Sequence, residues 1–164
     1  MRTTLNKIRK HHPCKDGWEK LLRFLDKTQP DDEPLLLETI LDANGLDDAL
    51  WCLRAVEGHD REMRLYAVWC ARQVQHLMNN PRSVAALDVA ERYARGQASA
   101  EELSAARSAA DAGEAAAAWW AAASAAAEAA AAEAAAWEAQ AAEFRRVCRE
   151  IDAGRDPYPK EDGR

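Results

Sequence analysis

The chain has 164 residues, of which 48% are hydrophobic and 30% are charged, and its formal net charge is −6. This length suits a single compact domain, because a chain of about 150 residues buries roughly 70% of its unfolded surface. Glutamates recur in the Ala-rich tract, which argues against a membrane-spanning helix. The basic N-terminus is not followed by an apolar run, which argues against a signal peptide. We therefore expect a cytoplasmic protein.

The charges are distributed unevenly along the chain. Residues 1–28 hold eight Lys or Arg and three Asp or Glu, whereas residues 29–164 hold 14 and 25. An acidic body is repelled by nucleic acid and attracts basic surfaces, such as the nucleic-acid grooves of nucleases and effector complexes. The same body also fits a solvated surface that keeps the protein in solution. The basic leader, residues 1–13, also fits a flexible terminus.

Turn and capping residues predict two helices in the first third of the chain. The first runs from about residue 16 to residue 27 and stops before Pro30. The second begins after a capping Asp32 and ends at the Asn44-Gly45 pair.

A third helix is predicted from a capping Asp47 or Asp48 to Glu57, with Gly58 ending it. Apolar residues cover most of its circumference, and they leave Asp47 and Arg54 on one narrow flank. A helix that is apolar nearly all round is expected to be central.

Two further helices follow. The fourth spans about Asp60 to Met78, with Leu65 and Trp69 on a second apolar face, so it is either sandwiched between two layers or carries an exposed aromatic patch. The fifth begins after the Asn79-Asn80-Pro81 run and closes at Gly96.

The C-terminal half begins with a capping box. Ser99 and Glu102 have the S-x-x-E spacing in which each side chain accepts from the other residue's backbone N–H. Residues 114–152 contain no Gly or Pro, so they form either one helix of roughly 58 Å or a helical hairpin with a break near Ser124 or within 129–132.

Between Ala112 and Ala142, 21 of 31 residues are alanine. Alanine has the highest helix propensity but buries little area, so this tract depends on neighbouring helices and on its tryptophans. Helical periodicity predicts a buried stripe of Trp119, Trp137, Phe144, Cys148 and Ile151 and an opposite polar face of Glu114, Glu128, Glu143, Arg146 and Glu150. Glu133 on the stripe and Trp120 near Glu138 and Arg145 depart from this pattern. Trp119 and Trp137 on the stripe are predicted to be structural. Trp120 either is covered by a neighbouring helix or contacts a partner or a second copy of the chain.

The chain shows no pattern typical of an enzyme. It contains no nucleophile elbow, phosphate-binding loop, dinucleotide fingerprint or H-E-x-x-H pair. The group formed by His11, His12 and Cys14 lacks a second ligand pair at zinc spacing, and the four cysteines, Cys14, Cys52, Cys70 and Cys148, are predicted to be buried free thiols. We therefore expect no catalytic residue, no metal and no cofactor.

Several runs carry a family resemblance. Asn-Gly-Leu-Asp-Asp-Ala-Leu-Trp-Cys-Leu-Arg-Ala-Val at 44–56, Asp-Asp-Glu-Pro-Leu at 31–35, Ala-Arg-Gly-x-Ala-Ser-x-Glu-Glu-Leu at 94–103 and the Trp-punctuated alanine tract resemble the bacterial and phage immunity protein family, the fifth-type-immunity-like group linked to polymorphic toxin systems. The resemblance covers about residues 13–150. It implies an all-helical protein that neutralises a partner by binding, and it brings no catalytic residues.

The fold prediction is an all-α, single-domain array of antiparallel helices that ends in a long Ala-rich helix or helical hairpin. The domain is expected to span residues 1–155, with residues 156–164 as a disordered tail. Because every periodic segment fits a helical repeat and none alternates with period two, we expect at least 60% helix and no sheet.

The functional prediction is a non-enzymatic inhibitor that binds a protein partner, either a toxin or, in a phage, a defence effector whose nucleic-acid groove the acidic surface blocks. The alternatives are a structural or adaptor module that forms a homodimer and, third, an enzyme. No direct contact with nucleic acid or membrane is expected. The predicted partner-binding residues are Trp120, Glu128, Glu138, Leu65, Trp69, Asp47 and Arg54.

Overall fold

The computed structural model describes residues 1–73, 75–78, 80–121 and 129–159, with the backbone alone at 77, 111–121 and 129–135. The fold is all-α, as predicted, and 70% of it is helical. The α-helices of the described residues are α1 Leu5–Lys10, α2 Lys15–Phe24, α3 Leu37–Asn44, α4 Leu46–Trp51, α5 Asp60–Gln73, α6 Pro81–Ala94, α7 Ala100–Ala121 and α8 Ala129–Asp152. Short 3-10 helices follow α4 at Cys52–Ala55 and α5 at Gln75–Leu77.

The prediction of no sheet is wrong, because two short strands pair. Strand β1, Arg2–Thr3, runs antiparallel to β2, Leu35–Leu36, with Arg2 opposite Leu36. The buried Thr3 hydroxyl donates to the carbonyl of Ala55 at 2.7 Å and ties the strand to the 3-10 helix after α4. Two residues are too few to show alternation, so periodicity does not reveal such strands.

Contacts group the residues into two compact units. Unit 1 comprises Met1–His59 and Ala141–Arg164, and unit 2 comprises Asp60–Gln140. The single domain over residues 1–155 stays a prediction.

The basic leader is a folded part of unit 1, so the alternative of a flexible terminus is wrong. Met1, Leu5 and Ile8 are each 1% exposed. The Met1 ammonium lies 2.8 Å from the Asp152 carboxylate, and the Thr4 hydroxyl caps α1 by accepting from Lys7 N at 3.1 Å. The basic residues of α1, Lys7, Arg9 and Lys10, are exposed.

Two predicted helix caps are wrong. Helix α3 begins after Leu36 rather than after Asp32, because Leu35–Leu36 pair with β1. Helix α4 begins after Gly45, whose φ of 97° suits glycine, and Asp47 and Asp48 lie in the first turn instead of capping it. Acidic residues in a first turn still interact favourably with the helix dipole.

In unit 2, α6 packs against α5 and α7. Helix α5 stops at Gln73, earlier than the predicted Met78. The Asn80 side chain caps α6 by accepting from Arg82 N at 3.0 Å. The predicted capping box is confirmed, since Ser99 N donates to Glu102 Oε2 at 2.8 Å and Glu102 N donates to Ser99 Oγ at 3.2 Å.

Helix α8 carries the predicted buried stripe over only part of its length. Phe144, Val147 and Cys148 are each 0% exposed, and Ile151 is half-buried. Trp137, two helical turns before Phe144, is 41% exposed, so its predicted burial is wrong. Helical phase sets which residues share a face, whereas burial also needs a neighbour that covers that face.

Several predictions fall on residues whose side chains or backbone lie outside the described part. For Trp119, Trp120 and Glu133 only the backbone is described. Ser124 and Glu128 lie wholly outside the described residues. The described backbone of α7 reaches Ala121 and that of α8 starts at Ala129, so the predicted break near Ser124 lies outside the described residues.

The described part of the predicted tail, residues 156–159, is packed against α8. Pro157 is buried, and its carbonyl accepts from Arg146 Nη2 at 3.2 Å. The Tyr158 hydroxyl donates to Glu143 Oε1 at 3.0 Å. A disordered tail that begins at 156 is therefore wrong, and residues 160–164 lie outside the described ranges.

Candidate binding site

Unit 1 contains a cavity of about 120 Å³ between α1, α2, α3 and α4, which we call the Asn44 cavity. Its apolar walls come from Ile8, Pro13, Trp18, Leu21, Ile40 and Trp51, and its remaining lining from Cys14, Gly17, Asn44, Asp48 and Cys52. A dry apolar cavity of about 150 Å³ is large enough to bind benzene. The Asn44 cavity is about one fifth smaller than this.

Asn44 provides the main polar group of this cavity. Its Nδ2 donates to the carbonyl of Gly17 at 2.8 Å and to Asp48 Oδ2 at 2.7 Å, so both amide hydrogens are used. Its Oδ1 is buried and has no hydrogen-bond partner. A buried acceptor without a partner costs about 1–3 kcal/mol of stability.

Gly17 allows the close approach on which this network depends. A Cβ at residue 17 would lie 2.7 Å from Asp48 Oδ2 and 3.1 Å from Cys14 Sγ. Cys14 in turn caps α2 by accepting from Gly17 N through its sulfur at 3.4 Å. Any larger residue at 17 would push the Asp48 carboxylate away from Asn44.

A wider, more polar cleft of about 700 Å³ adjoins the cavity. We call it the Arg9 cleft; it shares Pro13 and Trp18 with the Asn44 cavity and is further lined by Arg9, His12, Lys15, Leu22, Thr28, Gln29 and Pro30. Within the residues that the structure describes, Arg9 has no carboxylate at ion-pair distance, and Lys15 has only the exposed Glu19 at 3.9 Å. The cleft therefore offers uncompensated positive charge beside an apolar cavity.

The thiols in this region differ in exposure, and the prediction that all four cysteines are buried is wrong. Cys14 is exposed, Cys70 is half-buried, and Cys52 and Cys148 are buried. Burial, together with the negative charge of Asp48, raises the pKa of the Cys52 thiol to about 12. At neutral pH Cys52 is therefore protonated and a poor nucleophile, whereas Cys14 is open to reagents.

The structure places the predicted partner-binding residues at separate points. Asp47 and Arg54 are exposed in unit 1, and the Arg54 guanidinium lies 4.5 Å from the centre of the Trp51 ring. In unit 2, Glu138 is exposed and Trp69 is half-buried, but Leu65 is only 3% exposed. Leu65 is therefore a core residue rather than part of an exposed patch.

Much of the acidic surface is already paired with arginines of the same unit. Glu38 accepts from Arg149 Nε at 2.8 Å and from Arg145 Nη1 at 3.0 Å, and Asp42 accepts from Arg145 Nη2 at 2.6 Å. The Arg149 guanidinium, followed by that of Arg145, holds the pKa of Glu38 below its usual range.

Similar pairs occur in unit 2. Arg72 reaches Asp88 at 2.7 Å and Glu91 at 2.9 Å. The hydrogen bond from Arg72, followed by that from Arg95, lowers the pKa of Glu91. Internal pairing of this kind reduces the field that an acidic surface presents to a basic partner.

Sequence reasoning missed both the cavity and the cleft. It treated Asn44 as a helix end and Asp48 as a cap, and because the two residues lie on either side of the break at Gly45, the i, i+4 rule for a single helix does not relate them. Gly17, which accepts from Asn44, is 27 residues away in the sequence, so local spacing does not indicate it.

No family model, curated protein or solved structure matches the chain. Within the described ranges, no three His, Cys, Asp or Glu side chains lie close enough together to hold a metal ion. None of the helices described is both long and apolar enough to cross a membrane.

Proposed function

We propose that the chain is a non-enzymatic inhibitor that neutralises a toxin or a defence effector by stoichiometric protein binding. The observation that supports this proposal is where the residues of the family resemblance lie. Residues 44–56 resemble immunity proteins most specifically, and they supply Asn44, Asp48, Trp51 and Cys52 to the cavity. The segment that carries the family resemblance therefore lines the Asn44 cavity.

The chemistry of the cavity suits recognition better than catalysis. Both donors of Asn44 are committed to fixed partners, and the raised pKa of Cys52 keeps its thiol protonated. Protein interfaces gain much of their affinity from a few anchors that fill pockets, with charged groups at the rim setting orientation and association rate. The cavity and the adjacent cleft provide these two components.

The internal pairing of acidic side chains bears on which surface of the protein contacts the partner. Acidic mimicry of nucleic acid, proposed for a defence effector, needs a surface of uncompensated carboxylates. Glu38, Asp42, Asp88 and Glu91 are each paired with an arginine of their own unit. We therefore favour the Asn44 cavity and the Arg9 cleft as the recognition face for either class of partner.

Inhibition is expected to be stoichiometric and salt-sensitive. Titrating a captured partner with the protein should reduce its activity linearly to zero at a fixed molar ratio. Raising the salt from about 0.01 M to about 1 M shortens the Debye length from roughly 30 Å to 3 Å and should slow association. Stopped-flow binding at several salt concentrations measures this.

Neutralising Arg9 and Lys15 together, by Arg9→Gln and Lys15→Gln, should flatten the salt dependence. Arg82→Gln, an exposed arginine of unit 2, is the matched control and should leave it unchanged. Loss of partner activity at far less than one inhibitor per partner would indicate turnover and would contradict the proposed function.

The exposed Trp137 favours a second candidate, a structural module that self-associates through α8. A 41% exposed indole is a strong contact group when a second copy covers it. Sedimentation equilibrium should then show a dimer that Trp137→Ala weakens and that Phe24→Ala, at the more exposed Phe24 (55% exposed), does not. A wild-type chain that stays monomeric at high protein concentration rules this candidate out.

A further inference from the structure

Unit 2 contains a groove of about 400 Å³ between α5, α6 and α7, which we call the Ala67 groove. Its apolar lining comes from Ala67, Val68, Leu87, Ala90 and Leu103, and its remaining lining from Arg64, Tyr93 and Arg107. Binding sites typically measure about 300–1,000 Å³ and combine a mainly apolar lining with a few polar groups. A cavity of roughly 150 Å³ already takes benzene, so the Ala67 groove has room for a two-ring side chain.

Two arginines give the Ala67 groove a positive charge. Arg64 lies on α5 and Arg107 on α7, and both are exposed. Within the described ranges, neither guanidinium has a carboxylate at ion-pair distance. The Arg64 guanidinium lies 5.3 Å from the centre of the Tyr93 ring, and this cation–π contact holds it against the groove lining. A group that fits the groove therefore combines an apolar ring with a neighbouring negative charge.

The surface of unit 2 carries that combination at Trp137 and Glu138. Trp137 is 41% exposed, although it is a large apolar side chain. The next residue, Glu138, is exposed and has no cationic group at ion-pair distance in the part of the chain that the structure describes. A tryptophan buries roughly 150–250 Å² and is enriched among the residues that dominate binding energy. Trp137 and Glu138 thus match the Ala67 groove in apolar character and in charge.

Trp137 does not reach the groove of its own chain. The Tyr66 hydroxyl donates to the carbonyl of Gln140 at 3.1 Å, which places α8 against the Tyr66 face of α5 one helical turn after Trp137. At about 100° per residue, Arg64 and Val68 lie roughly 160° round α5 from Tyr66, so the groove lies on the opposite face. Helix α5 therefore separates the two surfaces, and a second copy of the chain brings them together.

We propose that the Ala67 groove of one copy binds the Trp137 side chain of a second copy, with the Glu138 carboxylate of that second copy pairing with Arg64 and Arg107. This inference rests on the second candidate function, self-association through α8, and adds the surface that receives the exposed indole. The contact joins two different surfaces. A chain without Trp137 therefore still offers a groove, and a chain with a filled groove still offers Trp137.

Mixing two full-length variants tests this complementarity. Ala67 is exposed, so Ala67→Glu fills the groove without disturbing the core and places a carboxylate three residues from Arg64. In sedimentation equilibrium, Ala67→Glu and Trp137→Ala should each weaken the wild-type dimer roughly 30-fold, the loss typical of a dominant contact residue. An equimolar mixture of the two variants should dimerise again, because each supplies what the other lacks. Ala85→Glu, at an exposed alanine of α6 outside the groove lining, is the matched control and should leave the dimer unchanged.

Exchanging the charges gives a second test at exposed residues. Glu138→Arg should weaken the dimer about tenfold, because it places like charges opposite each other. Adding Arg64→Glu to the same chain should restore part of that affinity, since the pair forms again with its signs exchanged. Damage to the fold is not repaired by a second substitution of this kind. Arg82→Glu, at an exposed arginine outside the groove lining, replaces Arg64→Glu in the control and should restore nothing.

The contrary outcomes separate this inference from the functions it stands beside. A wild-type dimer that Trp137→Ala weakens and Ala67→Glu does not leaves self-association standing and overturns the role of the groove. A wild-type chain that stays monomeric at high concentration overturns both, and uptake of decanoate by that monomer would assign the groove to a small apolar carboxylate. The inhibitor function is decided independently, by whether a captured partner loses activity on titration.

Discussion

Replacing Phe144 by alanine should lower the free energy of unfolding by about 3–5 kcal/mol, the usual cost of a large-to-small change at a fully buried aromatic residue. Phe144 is 0% exposed, and so are its helix neighbours Val147 and Cys148. The loss combines the transfer of a phenyl group to water with a void that a close-packed interior does not refill. Guanidinium chloride denaturation followed by circular dichroism measures it.

Trp137→Ala is the matched control, because Trp137 lies in the same helix and in nearly the same helical phase. With 41% of the residue exposed, its truncation should cost clearly less than that of the fully buried Phe144. A variant pair in the opposite order, with Trp137 essential for folding and Phe144 dispensable, would show that α8 is rotated relative to this structure.

Glu38→Gln should destabilise the protein by about 1–2 kcal/mol at neutral pH, because it removes the charge that two arginines share. The Arg149 and Arg145 guanidinium groups hold the pKa of Glu38 below its usual value of 4.5. A carboxylate whose folded pKa is depressed contributes stability above its unfolded pKa and loses it as the pH falls through the folded pKa. The stabilisation should therefore be complete near neutral pH and disappear at pH values below 4.5.

Urea denaturation at a series of pH values checks this expectation. The gap in unfolding free energy between wild type and Glu38→Gln should narrow as the medium is acidified. Asp47→Asn is the control, because Asp47 is exposed and makes no ion pair within the described part of the chain. The difference in unfolding free energy between wild type and Asp47→Asn should be small at every pH. A Glu38→Gln gap that stays constant down to strong acid would mean that packing, rather than charge, accounts for it.

Features set by neighbours in the sequence were predicted correctly. Ser99 and Glu102 form both hydrogen bonds of the predicted capping box. Helix α6 begins at Pro81, directly after its capping residue Asn80. These contacts lie within a single helical turn, so short-range rules suffice for them. The end of α3 at Gly45 follows in the same way, because only glycine adopts a positive φ there at little cost.

Features that depend on distant partners were predicted wrongly. Asp32 looks like a cap, but the pairing of Leu35–Leu36 with Arg2–Thr3 delays α3 until Leu37. The leader looks like a charged terminus, but Leu5 and Ile8 anchor it in the core of unit 1. In both cases a contact with residues distant in the sequence overrides the preference of the local sequence.

The sequence by itself determined the all-α class, the start of α6 at Pro81, the capping box at Ser99 and Glu102, and the resemblance at 44–56. The tertiary structure alone decided that Asn44 donates to the Gly17 carbonyl, that Asn44 Oδ1 is buried without a partner, and that Arg9 lines the cleft next to the Asn44 cavity. The reason is physical: helix formation and capping use hydrogen bonds between residues a few positions apart, whereas burial and the pairing of buried polar groups depend on which distant segments the fold brings together.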